Sequence, residues 1–332
     1  MRRWSAAGST PRRPRRPPAA EPARAIFFGS GAFAVPVLVS LATAPDVVLI
    51  AVVTAPPRPV GRSGSLGRTP VGERAAALGI PVLAPERLRD PTVVAGIAAL
   101  RPEIGVLADY GKLLPDAILD IPPHGILNLH PSLLPRHRGA TPIPAAIFEG
   151  DAETGVSLFR MDAGMDTGPI VATESVALAG DEDTPGLEGR LASVAAALLG
   201  RSLGPWLRGD LPAIEQSRER VSITRPFRRE DGRLDPALPA AILERQVRAC
   251  RPWPGTFIET PAGRVAVLRA EVARARAGDV PGGLERDGDA GLALATAAGR
   301  LRLLEVQPAG GRRMDSAALV RGRPGLVGAR VG

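Results

Sequence analysis

From Ala25 onward the chain repeats one pattern: a short apolar run, a turn, then a stretch of helical length. The runs AIFFG (25–29), VVLIAVV (47–53), IPVLA (80–84), IGVLA (104–108), GILNLH (125–130) and VSLFRM (156–161) predict strands. Segments near 32–43, 70–78, 90–100, 112–119 and 142–149 predict the helices between them. Runs without polar alternation suit strands buried on both faces, so the pattern predicts an α/β, Rossmann-like domain with a mostly parallel sheet. Past Leu203 the texture changes. GPWLRGDLPAIEQ reads as a connector and PAAILERQVRAC as a helix, while GRVAVLRAEVA (263–273), GLALATAAG (291–299) and RLRLLEVQP (300–308) read as the strands of a small antiparallel sheet or barrel. The expected divisions are a disordered Arg/Pro-rich tail over 1–24, a first domain over 25–205, a linker over 206–224, a second domain over 225–322 and a tail over 323–332.

Charge changes this picture less than its total suggests. The formal net charge is +8, but residues 1–24 alone hold seven arginines against one glutamate, leaving the rest nearly balanced. The tail is Arg-rich and acid-poor like a transit peptide, yet its five prolines oppose the amphipathic helix such a peptide needs. Disorder or an over-extended start is the expectation. The single cysteine, Cys250, allows no internal disulfide and no cysteine-built metal site, which fits a reducing compartment, the cytoplasm. The longest apolar region, from Ala34, is broken by Pro36, Pro45 and Asp46, so no membrane association is expected.

GSGAFA at Gly29–Ala34 satisfies GxGxxA between a predicted strand and helix, the phosphate-binding fingerprint of dinucleotide enzymes. That fingerprint also requires an acidic residue about twenty positions on. No carboxylate lies between Asp46 and Glu73, so the glycines are read as a tight turn.

The chemistry-bearing candidates lie elsewhere. All three histidines fall between His124 and His137. In ILNLHPSLLP, Asn128 and His130 are two apart at a strand end closed by Pro131, so both side chains share one face at the carboxyl edge of the sheet. A second polar loop, MDAGMDTGPI (161–170), offers Asp162 and Asp166 around Gly164; a carboxylate there can orient the imidazole and accept a proton. Amide, imidazole and carboxylate without a nucleophile elbow suggest direct attack by a substrate's own nucleophile on a bound carbonyl. The histidine spacings of six and seven match no metal motif, and no metal is expected.

The stretch NLHPSLLPRHRGATPIPAAIFEGDAETGVSLFRMDAGMDTGPI closely resembles the core signature of the folate-dependent formyltransferases, and FFGSGAFAVPVL, ADYGKLLP, RPWPGTF and LEVQPAGGRRM extend the likeness over most of 25–320. The resemblance implies transfer of formyl from 10-formyltetrahydrofolate. With VVTAPPRPVGRSGSLGRTPV and the C-terminal motifs, it implies the α-amino group of methionine on initiator tRNA as acceptor; the alternative is a sugar amine or purine precursor. It assigns catalysis to Asn128, His130 and Asp166 and a lining of the tetrahydrofolate site to Ser132, Leu133, Leu134 and Pro135. It further implies RNA contacts from Arg58 and Arg62 in a Gly-rich loop, an OB-like C-terminal domain that helps hold tRNA, and a monomer. His137 stands where relatives commonly carry an aromatic such as tryptophan. Three departures are evident: GSGAF replaces a TPEF-like turn, APPRP replaces a QPDRP-like sequence, and Ser63 and Ser65 stand where lysines are common.

Overall fold

The computed structural model describes residues 21–60, 65–288 and 291–331. Its first unit is built on a seven-stranded sheet. The strands are β1 (Ala23–Gly29), β2 (Val47–Val53), β3 (Val82–Leu83), β4 (Ile104–Ala108), β5 (Ile126–His130), β6 (Glu153–Arg160) and β7 (Ile170–Ala177), in the order β7-β6-β5-β4-β1-β2-β3. Strands β1 to β5 pair in parallel, whereas β6 and β7 pair antiparallel. The first-unit helices are α1 (Ala34–Ala42), α2 (Pro70–Ala77), α3 (Pro91–Ala99), α4 (Asp116–Leu119), α5 (Pro142–Glu149) and α6 (Thr184–Leu207).

Period-two geometry explains why the strands read as unbroken apolar runs. Ala25 and Phe27 enter one core with Leu38 of α1 and Leu191 of α6, while Ile26 and Phe28 enter a second core with Ile97 of α3 and Ile118 of α4. Both faces are therefore covered. After β3 the chain crosses back to place β4 on the other side of β1, so the sheet's switch point lies where β1 and β4 end.

Residues 170–203, for which the pattern gives no assignment, form β7 and most of α6, and α6 runs on to Leu207, into the expected connector. Asp183 caps α6 by accepting from the Gly186 amide at 3.0 Å. In the first unit two expected elements are clearly shorter than predicted. Strand 80–84 shrinks to Val82–Leu83 at the sheet edge, beside Pro81, and the helix at 112–119 begins only after Pro115, which disfavours helical backbone at Leu114.

The second unit holds α7 (Ala240–Ala249), then β8 (Thr256–Thr260), β9 (Gly263–Ala273), β10 (Leu284–Asp287), β11 (Gly291–Ala295) and β12 (Arg300–Pro308), followed by α8 (Ser316–Gly322). The antiparallel order is β8-β9-β12-β11-β10, and register shifts at Val267–Ala270 bend the long β9, as a small barrel-like domain requires. Helix α7 joins the units: Ala249 packs in the first unit's core, and its carbonyl accepts from the Thr184 hydroxyl at 2.7 Å.

Both expected tails reach too far into the fold. Ala23 and Arg24 belong to β1, where the Arg24 amide donates to Glu103 at 2.8 Å and its guanidinium to the Leu100 carbonyl at 2.7 Å. Residues 1–20 lie outside the described residues. At the other end Leu326 is buried, and Leu284 of β10 exchanges backbone hydrogen bonds of 2.8 Å with Gly328 and Ala329. This segment satisfies a strand edge that would otherwise be open.

Candidate active site

Strand β5 ends by turning Asn128 and His130 to the same face, next to the switch point. Both are buried, and both line a cavity of about 440 Å³ that also takes in Asp166, Asp109, Glu188, Met161 and Met165. The size suits a small-molecule site. Among the described residues no protein group hydrogen-bonds the Asn128 carboxamide, which faces this cavity.

The His130 ring is held by its far nitrogen. Nε2 lies 2.9 Å from the carbonyl oxygen of His137, and a carbonyl only accepts, so Nε2 carries the hydrogen. Burial pushes the imidazole below its ordinary pKa; the nearby Asp166 charge and the carbonyl bond offset this only in part. The neutral ring therefore presents a bare Nδ1, 3.7 Å from Asp166 Oδ2.

Asp166 has φ 54°, the left-handed region that non-glycine residues rarely enter. Three contacts hold it there. Its Oδ2 accepts from the Gly139 amide at 2.8 Å, and Gln216 Nε2 donates to the carbonyls of Asp166 and Gly168, each at 2.8 Å. Arg138 in turn holds Gln216 Oε1 at 2.7 Å. Asp162 instead accepts from the Gly164 amide at 3.0 Å and the Thr167 hydroxyl at 2.7 Å, closing the loop on itself.

The opposite wall is acidic. The Asp109 side chain is exposed towards the cavity, and the partial loss of water around its carboxyl, with the Glu188 charge, pushes its pKa up to about 6. Burial raises Glu188 as well. Asp109 also explains the glycine turn: a Cβ on Gly31 would fall 1.7 Å from Asp109 Oδ2, and the amides of Ser30 and Gly31 donate to the Asp109 carbonyl. A carboxylate, not a phosphate, occupies the space over GSG.

Asn128, His130 and Asp166 thus converge on one cavity. Ser132, Leu133, Leu134 and Pro135 are not among the residues that line this cavity. Ser132 is fully buried with its hydroxyl donated to the Arg136 carbonyl at 2.7 Å, and the Leu134 amide donates to Ser157 at 3.0 Å. The segment is scaffold for the turn that carries the His137 carbonyl. Arg58 is exposed on a short strand, Arg58–Val60, paired with Ser65–Gly67, and Arg62 lies outside the described residues. Gln216, Asp109 and Glu188 were absent from the sequence expectation. Only Asp109 carried a signal, its place immediately after a buried strand at the switch point.

The formyl transferase family matches residues 23–203, the span of the seven-stranded unit, and the formyl transferase C-terminal domain matches 226–324; the chain belongs to this family. A solved N-formyltransferase from Helicobacter canadensis, in complex with folinic acid and dTDP-3-aminofucose, shares the fold, with a TM-score of 0.60 at 15% identity over 85% of this chain and 98% of that one. A HypX variant from Aquifex aeolicus also has a TM-score of 0.60, at 14% identity over 90% of this chain, which spans 49% of that longer protein. Within the family the likeness is narrower. The chain is 43% identical over 311 residues to the methionyl-tRNA formyltransferase of Roseiflexus sp. (strain RS-1), covering 94% of this chain and 96% of that one, and it stands among the methionyl-tRNA formyltransferases.

Proposed function

We propose that the chain transfers the formyl group of 10-formyltetrahydrofolate to the α-amino group of methionyl initiator tRNA, using Asn128, His130 and Asp166. The observation that carries this reading is the convergence of an unbonded buried amide and a bare imidazole nitrogen on one cavity. A cavity of about 440 Å³ with the apolar side chains of Leu107, Met161 and Met165 in its wall fits a flat heterocyclic donor.

Asn128 donates an amide hydrogen to the formyl oxygen, which gains charge as the amine adds to the formyl carbon. Removing one such donor costs roughly 10²- to 10³-fold in rate. His130 accepts the amine proton at Nδ1, while Nε2–H stays on the His137 carbonyl. Asp166 flanks the resulting imidazolium, and its charge favours that protonated state. The same proton is then available to N10 as the C–N10 bond breaks, leaving His130 neutral again. This assigns His130 the proton transfer and leaves oxyanion donation chiefly to Asn128. Arg58 and Arg62 are proposed to contact the tRNA, with the C-terminal domain helping to hold it in the cytoplasm.

The test combines purified protein, 10-formyltetrahydrofolate and charged initiator tRNA, with elongator methionyl-tRNA as control. Formyl-methionine is expected on the initiator, and its absence would overturn the reading. Asp166→Asn is expected to slow turnover by roughly 10²- to 10⁴-fold with both substrates still bound; near-wild-type turnover would remove Asp166 from the chemistry.

A further inference from the structure

His137 follows a leucine- and proline-rich segment and has no direct part in the reaction, yet it is only 2% exposed and has φ 55°. A polar ring so buried must be hydrogen-bonded, and both ring nitrogens have partners. Nε2 lies 2.8 Å from Asp151 Oδ2, and Arg136 donates to Asp151 Oδ1 at 2.6 Å and to Glu149 at 2.9 Å. Nδ1 faces the Ser222 hydroxyl at 3.4 Å, while the same hydroxyl accepts from the His137 amide at 2.9 Å. The ring and its own backbone are thus tied to one serine.

The ligating atoms of His137, Glu149 and Asp151 come within 4.8 Å of one another, the reach of a metal site. The Arg136 guanidinium pairs with both carboxylates and so already supplies the cluster with a cationic partner. Its consequence lies on the other side of the residue. With φ positive and the ring anchored, the His137 carbonyl points at His130 Nε2, 2.9 Å away. A peptide carbonyl cannot donate, so its position decides which nitrogen of His130 carries the hydrogen in the neutral ring.

We infer that the His137 side chain, anchored by Asp151 and Ser222, is a positioning residue that aims its carbonyl at His130 and so holds Nδ1 bare for the reaction. The inference rests on the role assigned to His130 above. The charged groups facing His130 are Asp166 and, when protonated, His137 itself. Those facing His137 are Asp151, Glu149 and Arg136. Loosening the anchor lets the left-handed turn relax and the carbonyl swing away. The His130 tautomers then mix, while the cavity walls that bind substrate keep their shape.

The chain has three histidines, so ¹⁵N-histidine labelling resolves each ring. In the wild type, long-range ¹H–¹⁵N spectra at about pH 7.5, well above the ordinary histidine value, are expected to show His130 as the Nε2–H tautomer. In Asp151→Ala that signal is expected to become a tautomer mixture, with kcat reduced roughly 10- to 100-fold and KM for both substrates within about twofold. Asp151→Asn, which keeps an acceptor for the His137 ring, is expected to recover most of the loss. Ser222→Ala repeats the test from the second anchor should the aspartate variant fail to fold. Wild-type kcat together with an unchanged His130 tautomer in either folded variant overturns the inference. Full activity in His130→Asn would instead overturn the role of His130 itself, so the two failures are distinguishable.

Discussion

Gln216 sits outside every recognisable motif, and its loss should nonetheless impair formyl transfer. Its amide Nε2 donates to the carbonyls of Asp166 and Gly168 at 2.8 Å each. In Gln216→Ala both bonds disappear and Arg138 loses the acceptor it holds at 2.7 Å. Two neutral hydrogen bonds contribute about 1 kcal/mol each, or about 2 kcal/mol for the clamp. A non-glycine residue in the left-handed region costs about 1–2 kcal/mol, so at φ 54° Asp166 has a comparable tendency to leave its position. The clamp and the strain are therefore nearly balanced, and removing the clamp shifts the loop toward relaxed backbone. If all of that roughly 2 kcal/mol is expressed in the barrier, kcat falls about 30-fold; a fall of about 5- to 30-fold is expected. Single-turnover formylation of initiator methionyl-tRNA at saturating donor isolates this step. Gln216→Glu should be no better, because a carboxylate oxygen would face two carbonyls. A Gln216→Ala rate within twofold of wild type would refute the reasoning.

Three further outcomes follow from the same geometry. Burial lowers the His130 pKa, so its neutral form is favoured by the fold; the stability this group contributes is complete above the unfolded value of about 6.5 and is lost as pH falls through the lowered value. An NMR titration should place the ring below the ordinary histidine range, and lower still in Asp166→Asn; a midpoint above about 6.5 would contradict the burial argument. Asp109 has the opposite sign: its carboxyl is raised to about 6, so its favourable contribution is present below about 3.8 and is lost as pH rises through 6. Asp109→Asn should accordingly raise Tm at about pH 7–8 and change it little at about pH 4, whereas a uniform shift would count against a titrating carboxyl. Gly31→Ala places a methyl 1.7 Å from Asp109 Oδ2 and should destabilise by about 1–3 kcal/mol, with Asp109→Ala restoring much of the loss in the double variant. Additive Tm changes would show that the two positions do not collide.

The central strands were legible because burial on both faces leaves unbroken apolar runs, and β2 and β4 match their expected limits residue for residue. Strand β7 escaped because it is half exposed and mixes Thr, Glu and Ser with its apolar residues. The pairing of Asn128 with His130 was legible from the period of two alone, since the strand end fixes both position and direction. Asp166 could be nominated but not separated from Asp162 by spacing, because the difference lies in which carboxylate the loop consumes internally. Ser132 and Leu134, close to His130 in sequence, bond into the turn that follows it, and no local pattern fixes the direction of their side chains.

The connector between the two units explains why the site could not be read from motifs alone. Asp166 and His137, the residues on either side of the His130 ring, have φ of 54° and 55° without being glycine. Each is restrained by the segment that sequence composition marks as a linker. Gln216 holds the Asp166 loop, Ser222 holds the His137 amide, and Thr224 accepts from the Thr141 amide and donates to the Arg138 carbonyl, both at 3.0 Å. Strand β5 and the loop after β6 supply the candidate groups, but the strained backbone at Asp166 and His137 is held by bonds from residues 216–224. A carbonyl that sets a tautomer and an amide that holds a carboxylate loop are main-chain consequences of that pairing. The connector thus helps to hold the candidate site in shape, and its ordinary-looking polar residues gain their importance from the two positive φ angles they stabilise.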